Sequence, residues 1–328
     1  MNFVLKGENP IYYEAGYSSD NAIFLQLSSE KFFITDSRYT EEAKASVYHD
    51  IEVIESSNLN KTLRGVLREN RVRTTVYDPL EWTLSDFLSV SEKVSTYFQK
   101  KPNFSKFRRI IKSPEEIKTI QKAVNLGRDG IHRFQKDLTA GKSEKRMHFD
   151  LQMELRDFGK LDLSFDPIVA LNQNASKPHS LPTDMTMSDG DLLLIDAGVK
   201  YNRYCSDRTE TIAFNGTFND EVQKIYDTVK KAHDLAIEKA RSGMLASEID
   251  KIARDVIEKA GYGDRFIHST GHGVGLDIHE FPNISSRSDI KIEDGMVFTV
   301  EPGIYIPDFI GVRIEDMVVM ESGKAKVL

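Results

Sequence analysis

The chain has 328 residues, of which 40% are hydrophobic and 29% are charged. This length exceeds an average domain and predicts about two domains with cores of ordinary size. The net charge of -7 argues against a nucleic-acid partner, which would favour a basic face. No segment approaches the roughly 18 apolar residues of a membrane span, and the opening MNFVLKGENP lacks the apolar stretch of a secretory signal. We therefore expect a cytoplasmic protein with no membrane or nucleic-acid partner.

Cys205 is the single cysteine, so no internal disulfide can form, which fits a reducing compartment such as the cytosol. A lone cysteine can be a catalytic nucleophile, but free cysteines are more often small buried hydrophobic residues. We expect Cys205 to be structural.

The first hundred residues mix short strand-like and helical segments. Short strand-like runs predict strands at 22–27, 32–35 and 51–54. Helical spacing predicts helices at 39–47 and 61–70. This mixture predicts a small α/β domain over residues 1–108.

A domain boundary is predicted between residues 108 and 109, in the basic stretch KKPNFSKFRRIIK. The following Ser-Pro-Glu-Glu, from Ser113, is a strong helix start, because serine caps, proline suits the first turn and acids suit the helix dipole. Further helices are predicted from Ser143 and over 220–241 and 246–260. Strands are predicted over 192–197, 204–214, 296–306 and 312–320. Helices and antiparallel strands intermixed predict an α+β domain over residues 109–328.

A first hairpin is predicted to bring two carboxylates together. A turn between Tyr201 and Asn202 places Asp196 opposite Asp207, with Cβ atoms about 5 Å apart. The apolar run LLLI before Asp196 indicates burial, which makes this pair of like charges costly unless a cation compensates them.

A second hairpin, centred on Asp308, places Glu301 opposite Glu315, although a bulge in its loop would shift the register by one residue. Each acid taken alone also fits a strand-end residue paired with a lysine or arginine. Arg313 can neutralise one acid but not four. The set therefore predicts bound cations, and hard oxygen donors suit Mg, Mn or similar ions.

The segment HSTGHGVGLDIHE, residues 268–280, holds three of the eight histidines. Its His268 and His272 have the i, i+4 spacing of a helical zinc pair, but the three interspersed glycines disfavour a helix. A glycine-rich loop instead lets backbone approach closely, as a metal or substrate site requires. Four carboxylates and His272 suit two metals that share bridging oxygens, which predicts hydrolysis of an amide or ester.

With these residues the sequence resembles the pita-bread metallopeptidases, the family of methionine aminopeptidase, aminopeptidase P and prolidase. The resemblance covers residues 110–328 and rests on FDPIVA at 165–170, LIDAGVKYNRYCSD at 194–207, HSTGHGVGLDIHE at 268–280, VEPGIYI at 300–306 and GVRIED at 311–316. It implies that Asp196 binds a first metal and that Asp207 and Glu315 bridge the two metals. His272 and Glu301 are then the ligands of the second metal. Mn is the expected metal, with Co, Fe or Zn as alternatives.

The same resemblance implies roles for residues around the metals. His179 in NASKPHS matches a histidine that contacts substrate near the scissile bond. His268 and His279 match residues that help to bind substrate and stabilise the transition state. Glu301 is expected to relay protons from the attacking water, and Arg313 to orient the carboxylates.

The segment GYSSDNAIFL…FFITDSRYTEEA, residues 16–43, resembles the creatinase-type N-terminal domain of prolidases and aminopeptidases P. In those relatives the domain helps to form a homodimer and restricts substrate length. The implied activity is hydrolysis of the bond before proline in small peptides with proline at the second position. The compact N-terminal domain favours an Xaa-Pro dipeptidase, with an Xaa-Pro aminopeptidase acting on longer peptides as the alternative.

Two positions depart from the family pattern. Leu171-Asn172 replaces a small glycine, and Glu210 replaces an arginine, so the substrate pocket is expected to differ in shape. Creatinase shares the fold but lacks the ligand set, and non-catalytic pita-bread binding modules have lost ligands. The complete ligand set disfavours both of these alternatives.

Overall fold

A computed structural model describes residues 1–328, and the chain forms two compact units, Met1–Arg109 and Ile110–Leu328. This division lies one residue after the boundary expected from the sequence. Helices and strands occur together throughout, so the predicted α+β class is confirmed. None of the helices is long and apolar enough to cross a membrane.

The first unit has a single mixed sheet with helices on its connections. Its strands are β1 Phe3–Leu5, β2 Ala22–Gln26, β3 Lys31–Thr35, β4 Glu52–Glu55, β5 Thr74–Tyr77 and β6 Tyr97–Lys100. Its helices are α1 Glu8–Ala15, α2 Thr40–Ser46, α3 Leu59–Glu69, α4 Leu84–Ser91 and α5 Phe104–Arg108. The strand order is β4-β3-β2-β1-β5-β6, and apolar residues of β2 and β3 face both ways into two core clusters. Their near-continuous apolar sequences, AIFLQ and KFFIT, follow from burial on both faces.

The second unit has four α-helices, α6 Pro114–Lys136, α7 Glu144–Arg156, α8 Asp220–Lys239 and α9 Ala246–Lys259. The predicted starts of α6 and α7 are confirmed, because the hydroxyls of Ser113 and Ser143 accept from backbone N–H groups of the first turn. Ser113 also forms a capping box with Glu116. Helices α6 and α7 pack in one core cluster and α8 and α9 in a second.

The strands of the second unit form several small sheets. They are β7 Asp162–Leu163, β8 Ile168–Leu171, β9 Leu192–Ala197, β10 Val199–Tyr201, β11 Tyr204–Cys205, β12 Arg208–Ala213, β13 Gly271–Gly273, β14 Glu280–Ile284, β15 Val297–Val300, β16 Gly303–Ile306, β17 Ile310–Arg313, β18 Asp316–Glu321 and β19 Lys324–Val327. The sheet orders are β11-β10-β7, β12-β9-β8, β14-β13-β15-β18-β19 and β16-β17.

Three strands that the sequence predicts as continuous are interrupted at the predicted acids, so these strand predictions were wrong in extent. The breaks fall at Asp207, between β11 and β12, at Glu301, between β15 and β16, and at Glu315, between β17 and β18. At two of the breaks a backbone N–H donates to a residue outside the hairpin. The N–H of Glu301 donates to Thr270 O at 2.7 Å, and the N–H of Glu315 donates to Thr209 O at 3.1 Å. The breaks thus tie neighbouring sheets together where the carboxylates lie.

The second predicted hairpin has the expected register. Gly303 pairs with Arg313 in the β16–β17 ladder, and Val300 pairs with Asp316 in the β15–β18 ladder. Glu301 and Glu315 lie between these two ladders, and the register is the same in both ladders.

The first predicted hairpin has a different register. Tyr201 pairs with Tyr204, and Asp196 pairs with Thr209 rather than with Asp207. The turn is Asn202-Arg203, with φ values of 47° and 69°, the left-handed backbone of a two-residue hairpin turn. A shift of two residues preserves the alternation of faces, so Asp207 still reaches the cavity that Asp196 lines.

Candidate metal centre

A cavity of about 580 Å³ lies within the second unit. Every residue that the sequence predicts for the site lines it, namely Asp196, Asp207, His272, Glu301, Glu315, His179, His268, His279 and Arg313. An apolar wall faces these polar groups and includes Phe165, Ile168, Leu181 and Ile278. The structure thus brings together one polar cluster and one apolar surface.

His272 faces two carboxylates with a nitrogen that has no proton to donate. Its Nδ1 lies 3.1 Å from Gly273 O, and because a carbonyl only accepts, Nδ1 carries the hydrogen. Burial lowers the pKa of His272, so its Nε2 presents a lone pair. That Nε2 lies 3.5 Å from Asp207 Oδ2 and 3.5 Å from Glu301 Oε1. Three acceptors therefore face one another, as ligands of a cation do.

Two carboxylate oxygens in the cluster are buried and have no hydrogen-bond partner, Asp196 Oδ1 and Glu315 Oε1. The other oxygen of each is held in place. Thr209 Oγ1 donates to Glu315 Oε2 at 2.7 Å, and Arg313 Nη2 donates to Asp196 Oδ2 at 2.5 Å. Because unpaired buried carboxylate oxygens are costly, the arrangement fits a bound cation.

Ligand atoms of Asp207, His272 and Glu315 lie within 4.8 Å of one another. Burial raises the pKa of Asp207 and of Glu315 well above their usual values, and neighbouring carboxylates raise both further. Burial also raises the pKa of Glu301 to about 7. Burial and the neighbouring carboxylates both disfavour the ionised carboxyls, and a bound cation would favour them.

Arg313 is buried and donates to several groups of the site. Besides Asp196, its Nε donates to Thr209 Oγ1 at 3.0 Å and its Nη1 to Tyr305 Oη at 2.8 Å. The same Nη1 donates to Pro178 O at 3.3 Å. Arg313 thus holds Asp196 on β9 directly, and through Thr209 it also holds Glu315, between β17 and β18.

His268 has both ring nitrogens engaged within the protein. Its Nδ1 donates to Ser269 O at 2.8 Å, so its Nε2 accepts from the Tyr305 hydroxyl at 2.9 Å. Burial and the charge of Arg313 lower the pKa of His268 to about 4. This histidine therefore orients Tyr305.

The other two histidines differ in their surroundings. The ring of His279 packs edge-on against His272, with 4.3 Å between ring centroids. His179 is exposed at the mouth of the cavity. His179 and His279 are both exposed and line the cavity, so a ligand that enters from solvent can reach either.

The glycines around His272 permit close approach of backbone, as the sequence predicts. A Cβ on Gly271 would lie 1.9 Å from Thr299 O, and one on Gly273 would lie 2.2 Å from Phe281 O. Both contacts are with neighbouring strands, β15 and β14. The glycines therefore let β13 bring His272 into the cluster.

Several supporting residues escape the sequence predictions. Thr209 and Tyr305 hold Glu315, Arg313 and His268, and both stand in segments already singled out, SDRTET and VEPGIYI. Asp250 on α9 is fully buried and accepts from Thr270 N and Oγ1 at 3.1 and 2.8 Å. Nothing in the sequence of α9 marks Asp250, because its role depends on a tertiary contact.

The sequence profile of metallopeptidase family M24 matches residues 118–322. An Xaa-Pro dipeptidase of Pyrococcus horikoshii is 34% identical over 332 residues, which cover 100% of this chain and 92% of the relative. Among solved structures, an Xaa-Pro dipeptidase from Bacillus anthracis has a TM-score of 0.94 at 31% identity, covering 99% of this chain and 92% of the other. An X-Pro aminopeptidase from Thermotoga maritima has a TM-score of 0.91 at 31% identity, covering 99% and 94%.

Proposed function

This chain belongs to metallopeptidase family M24, and we propose that it hydrolyses the peptide bond before proline with two divalent cations. Family membership makes it a metal-dependent peptidase, and the predicted pita-bread fold of the second unit is confirmed. The observation that carries the proposal is the lone pair of His272 Nε2, which faces two carboxylates beside two unpaired buried carboxylate oxygens.

The charge of the cluster supports two cations rather than one. Arg313 offsets one of the four carboxylates through its contact with Asp196. A single divalent cation would leave one buried negative charge uncompensated, whereas two would leave one positive charge, which a hydroxide ion formed from the attacking water would balance. The oxygen-rich donor set suits Mn, with Co, Fe or Zn as alternatives.

In this proposal Asp196 would bind the first cation, and Asp207 and Glu315 would be shared by both. His272 and Glu301 would bind the second cation. When bound, the cations would supply Lewis acidity for the scissile carbonyl and for the attacking water. Thr209 and Arg313 already hold Glu315 and Asp196 in fixed orientations, so little reorganisation is needed on binding.

Proton transfer is assigned to Glu301. Its carboxylate faces the other proposed ligands, with Oε1 3.5 Å from His272 Nε2, so it would lie beside the attacking water and could exchange a proton with it. That carboxylate would take a proton from the attacking water and deliver it to the proline nitrogen as that nitrogen leaves. His179, at the mouth of the cavity, would contact the substrate near the scissile bond. His279, whose ring packs against that of His272, would help to bind the substrate.

An Xaa-Pro dipeptidase is the favoured specificity. The apolar wall formed by residues such as Phe165 and Ile278 suits a proline ring. A full-length relative and a solved structure similar to this chain are Xaa-Pro dipeptidases.

One observation favours an Xaa-Pro aminopeptidase as the second candidate. A dipeptidase needs a group that binds the free carboxylate of proline. Arg313 is the only lysine or arginine that lines the cavity, and its donors already contact Asp196, Thr209 and Tyr305.

The test is hydrolysis by Mn-loaded protein of Xaa-Pro, Xaa-Pro-Yaa and Xaa-Ala peptides with the same first residue. The proposal expects cleavage of proline peptides, dipeptides fastest, and little cleavage of Xaa-Ala. Faster cleavage of Xaa-Pro-Yaa would favour the aminopeptidase. Equal cleavage of Xaa-Ala, or no cleavage of any peptide, would overturn the proposed function.

A homodimer is part of the same proposal. Its support is the resemblance of residues 16–43 to the N-terminal domain that helps relatives to dimerise. Light scattering coupled to gel filtration would give twice the mass of one chain, and a monomer mass would contradict it.

A further inference from the structure

We propose that Glu144, outside the cavity, is a positioning residue that holds the segment carrying His179 in place for catalysis. This segment, residues 172–183, is called the His179 loop here. The inference rests on the proposed function, because only that function makes His179 a substrate contact.

One buried carboxylate joins both ends of the His179 loop. Glu144 is fully buried, and its Oε1 accepts from Leu171 N, just before the loop, at 2.6 Å. Its Oε2 accepts from Thr183 N at 2.7 Å and from Thr183 Oγ1 at 2.6 Å, at the end of the loop. Asn174 Nδ2, within the loop, donates to the same oxygen at 2.8 Å.

The four groups around Glu144 are all donors, so only a group with two acceptor oxygens satisfies them. A glutamine of the same shape would turn an NH2 group toward donors and leave buried groups unpaired. Glu144 is also the first residue of α7, after the capping Ser143, where a negative side chain is favourable. The helix start therefore supplies a fixed anchor for the loop.

The outer part of the loop lines the cavity. His179 and Leu181 are exposed, Leu181 by 77%, and both line the cavity. Asn174, which Glu144 holds, donates to Leu181 O at 3.0 Å. Because Glu144 does not line the cavity, an effect on turnover would act through the segments that it holds, and non-additivity with His179→Ala would identify the loop as that segment.

The experiment is a double-mutant cycle with Glu144→Gln and His179→Ala, read as kcat/KM on a proline dipeptide with metal content measured for each variant. We expect Glu144→Gln to lower kcat/KM roughly tenfold or more, since a misplacement of about 1 Å can cost 10²-fold. Metal content should stay unchanged, and the double variant should be no slower than His179→Ala alone. Amides of Leu171 and Thr183 should exchange hydrogen faster in Glu144→Gln.

Ile131→Val is the matched control, because Ile131 is fully buried in the core cluster that contains Leu171 but makes none of the hydrogen bonds that hold the loop. Ile131→Val should change kcat/KM little. In the double variant with His179→Ala, the fold-change should equal the product of the two single fold-changes. Multiplicative effects for Glu144→Gln, unchanged kcat/KM or loss of metal would overturn the inference. A merely structural Glu144 would behave as Ile131 does.

Asn174→Ala removes one donor and leaves the other three, so it tests the same bridge if Glu144→Gln does not fold. It should show the same non-additivity with His179→Ala, and multiplicative effects would again overturn the inference. If the unmodified protein cleaves no peptide, the proposed function fails, and the exchange rates of Leu171 and Thr183 still test the loop anchor. Unchanged exchange in both variants would then refute it.

Discussion

Arg313 and Asp196 form a buried ion pair, with 2.5 Å between Nη2 and Oδ2. The two residues lie on different strands, β17 and β9, and the pair joins the hairpin after Glu301 to the sheet that carries Asp196. Since the other oxygen of Asp196 has no partner, the pair orients the carboxylate and leaves one side of it open for a ligand.

Arg313→Gln should destabilise the metal-free protein by about 3–5 kcal/mol, because it leaves Asp196 as a buried charge without its partner. Arg133→Gln is the control, since its pair with Glu154 is partly exposed, and such pairs contribute about 1 kcal/mol or less. Urea unfolding of both variants without metal measures the difference. Equal losses for the two variants would show that the buried pair is not structural.

Asp207→Ala and Glu315→Ala should each abolish peptidase activity, because each removes a proposed bridging ligand. The expected fall in kcat/KM exceeds about 100-fold, since even residues that only support metal ligands contribute about 10–100-fold. Bound metal, measured by mass spectrometry, should also fall. Asp162→Ala, at an exposed carboxylate on β7, should change neither quantity. Near-normal turnover in either ligand variant would contradict the two-metal assignment.

Gly271→Ala should destabilise the protein by about 3 kcal/mol or more, because overpacking of this severity forces backbone apart. Its Cβ would lie 1.9 Å from Thr299 O, whereas nothing lies within 4 Å of a Cβ on Gly65 in α3. Gly65→Ala should therefore stabilise the protein by about 0.5–1 kcal/mol. Thermal unfolding of both variants distinguishes them, and equal tolerance of the two would argue against the close packing of β13.

Metal binding should release protons. The raised pKa values of Asp207, Glu315 and Glu301 mean that the metal-free protein retains protons on carboxyls that a cation requires ionised. His272 is already neutral because its pKa is lowered, so it adds none. Apparent affinity should rise with pH through about 7, the pKa of Glu301.

Titration calorimetry in two buffers of different ionisation enthalpy measures this proton release. Release should be larger below the pKa of Glu301 than above it. An affinity that does not change with pH would mean that the carboxyls are ionised before the cation arrives.

The features predicted correctly from the sequence are those with local causes. Serine caps at Ser113 and Ser143 determine two helix starts, and the turn at Asp308 determines the register of Glu301 and Glu315. The spacing of glycines around His272 excluded a helix, and that segment is a strand and loop.

The errors arise where conformation depends on distant contacts. The turn Asn202-Arg203 needs two left-handed residues, and arginine gives no signal for that conformation. The strand breaks at Glu301 and Glu315 follow from hydrogen bonds to Thr270 and Thr209 on other strands. The anchor at Glu144 joins α7 to a loop about thirty residues later, which no local pattern reveals.

The central claim is a two-cation site that cleaves before proline. The most direct measurement is a titration of Mn into chelator-treated protein, with hydrolysis of Xaa-Pro and Xaa-Ala dipeptides followed at each addition. We predict no activity without metal, a rise that saturates when two cations per chain are bound, and cleavage of Xaa-Pro alone. Full activity after removal of metal, saturation at one cation, or equal cleavage of Xaa-Ala would contradict it.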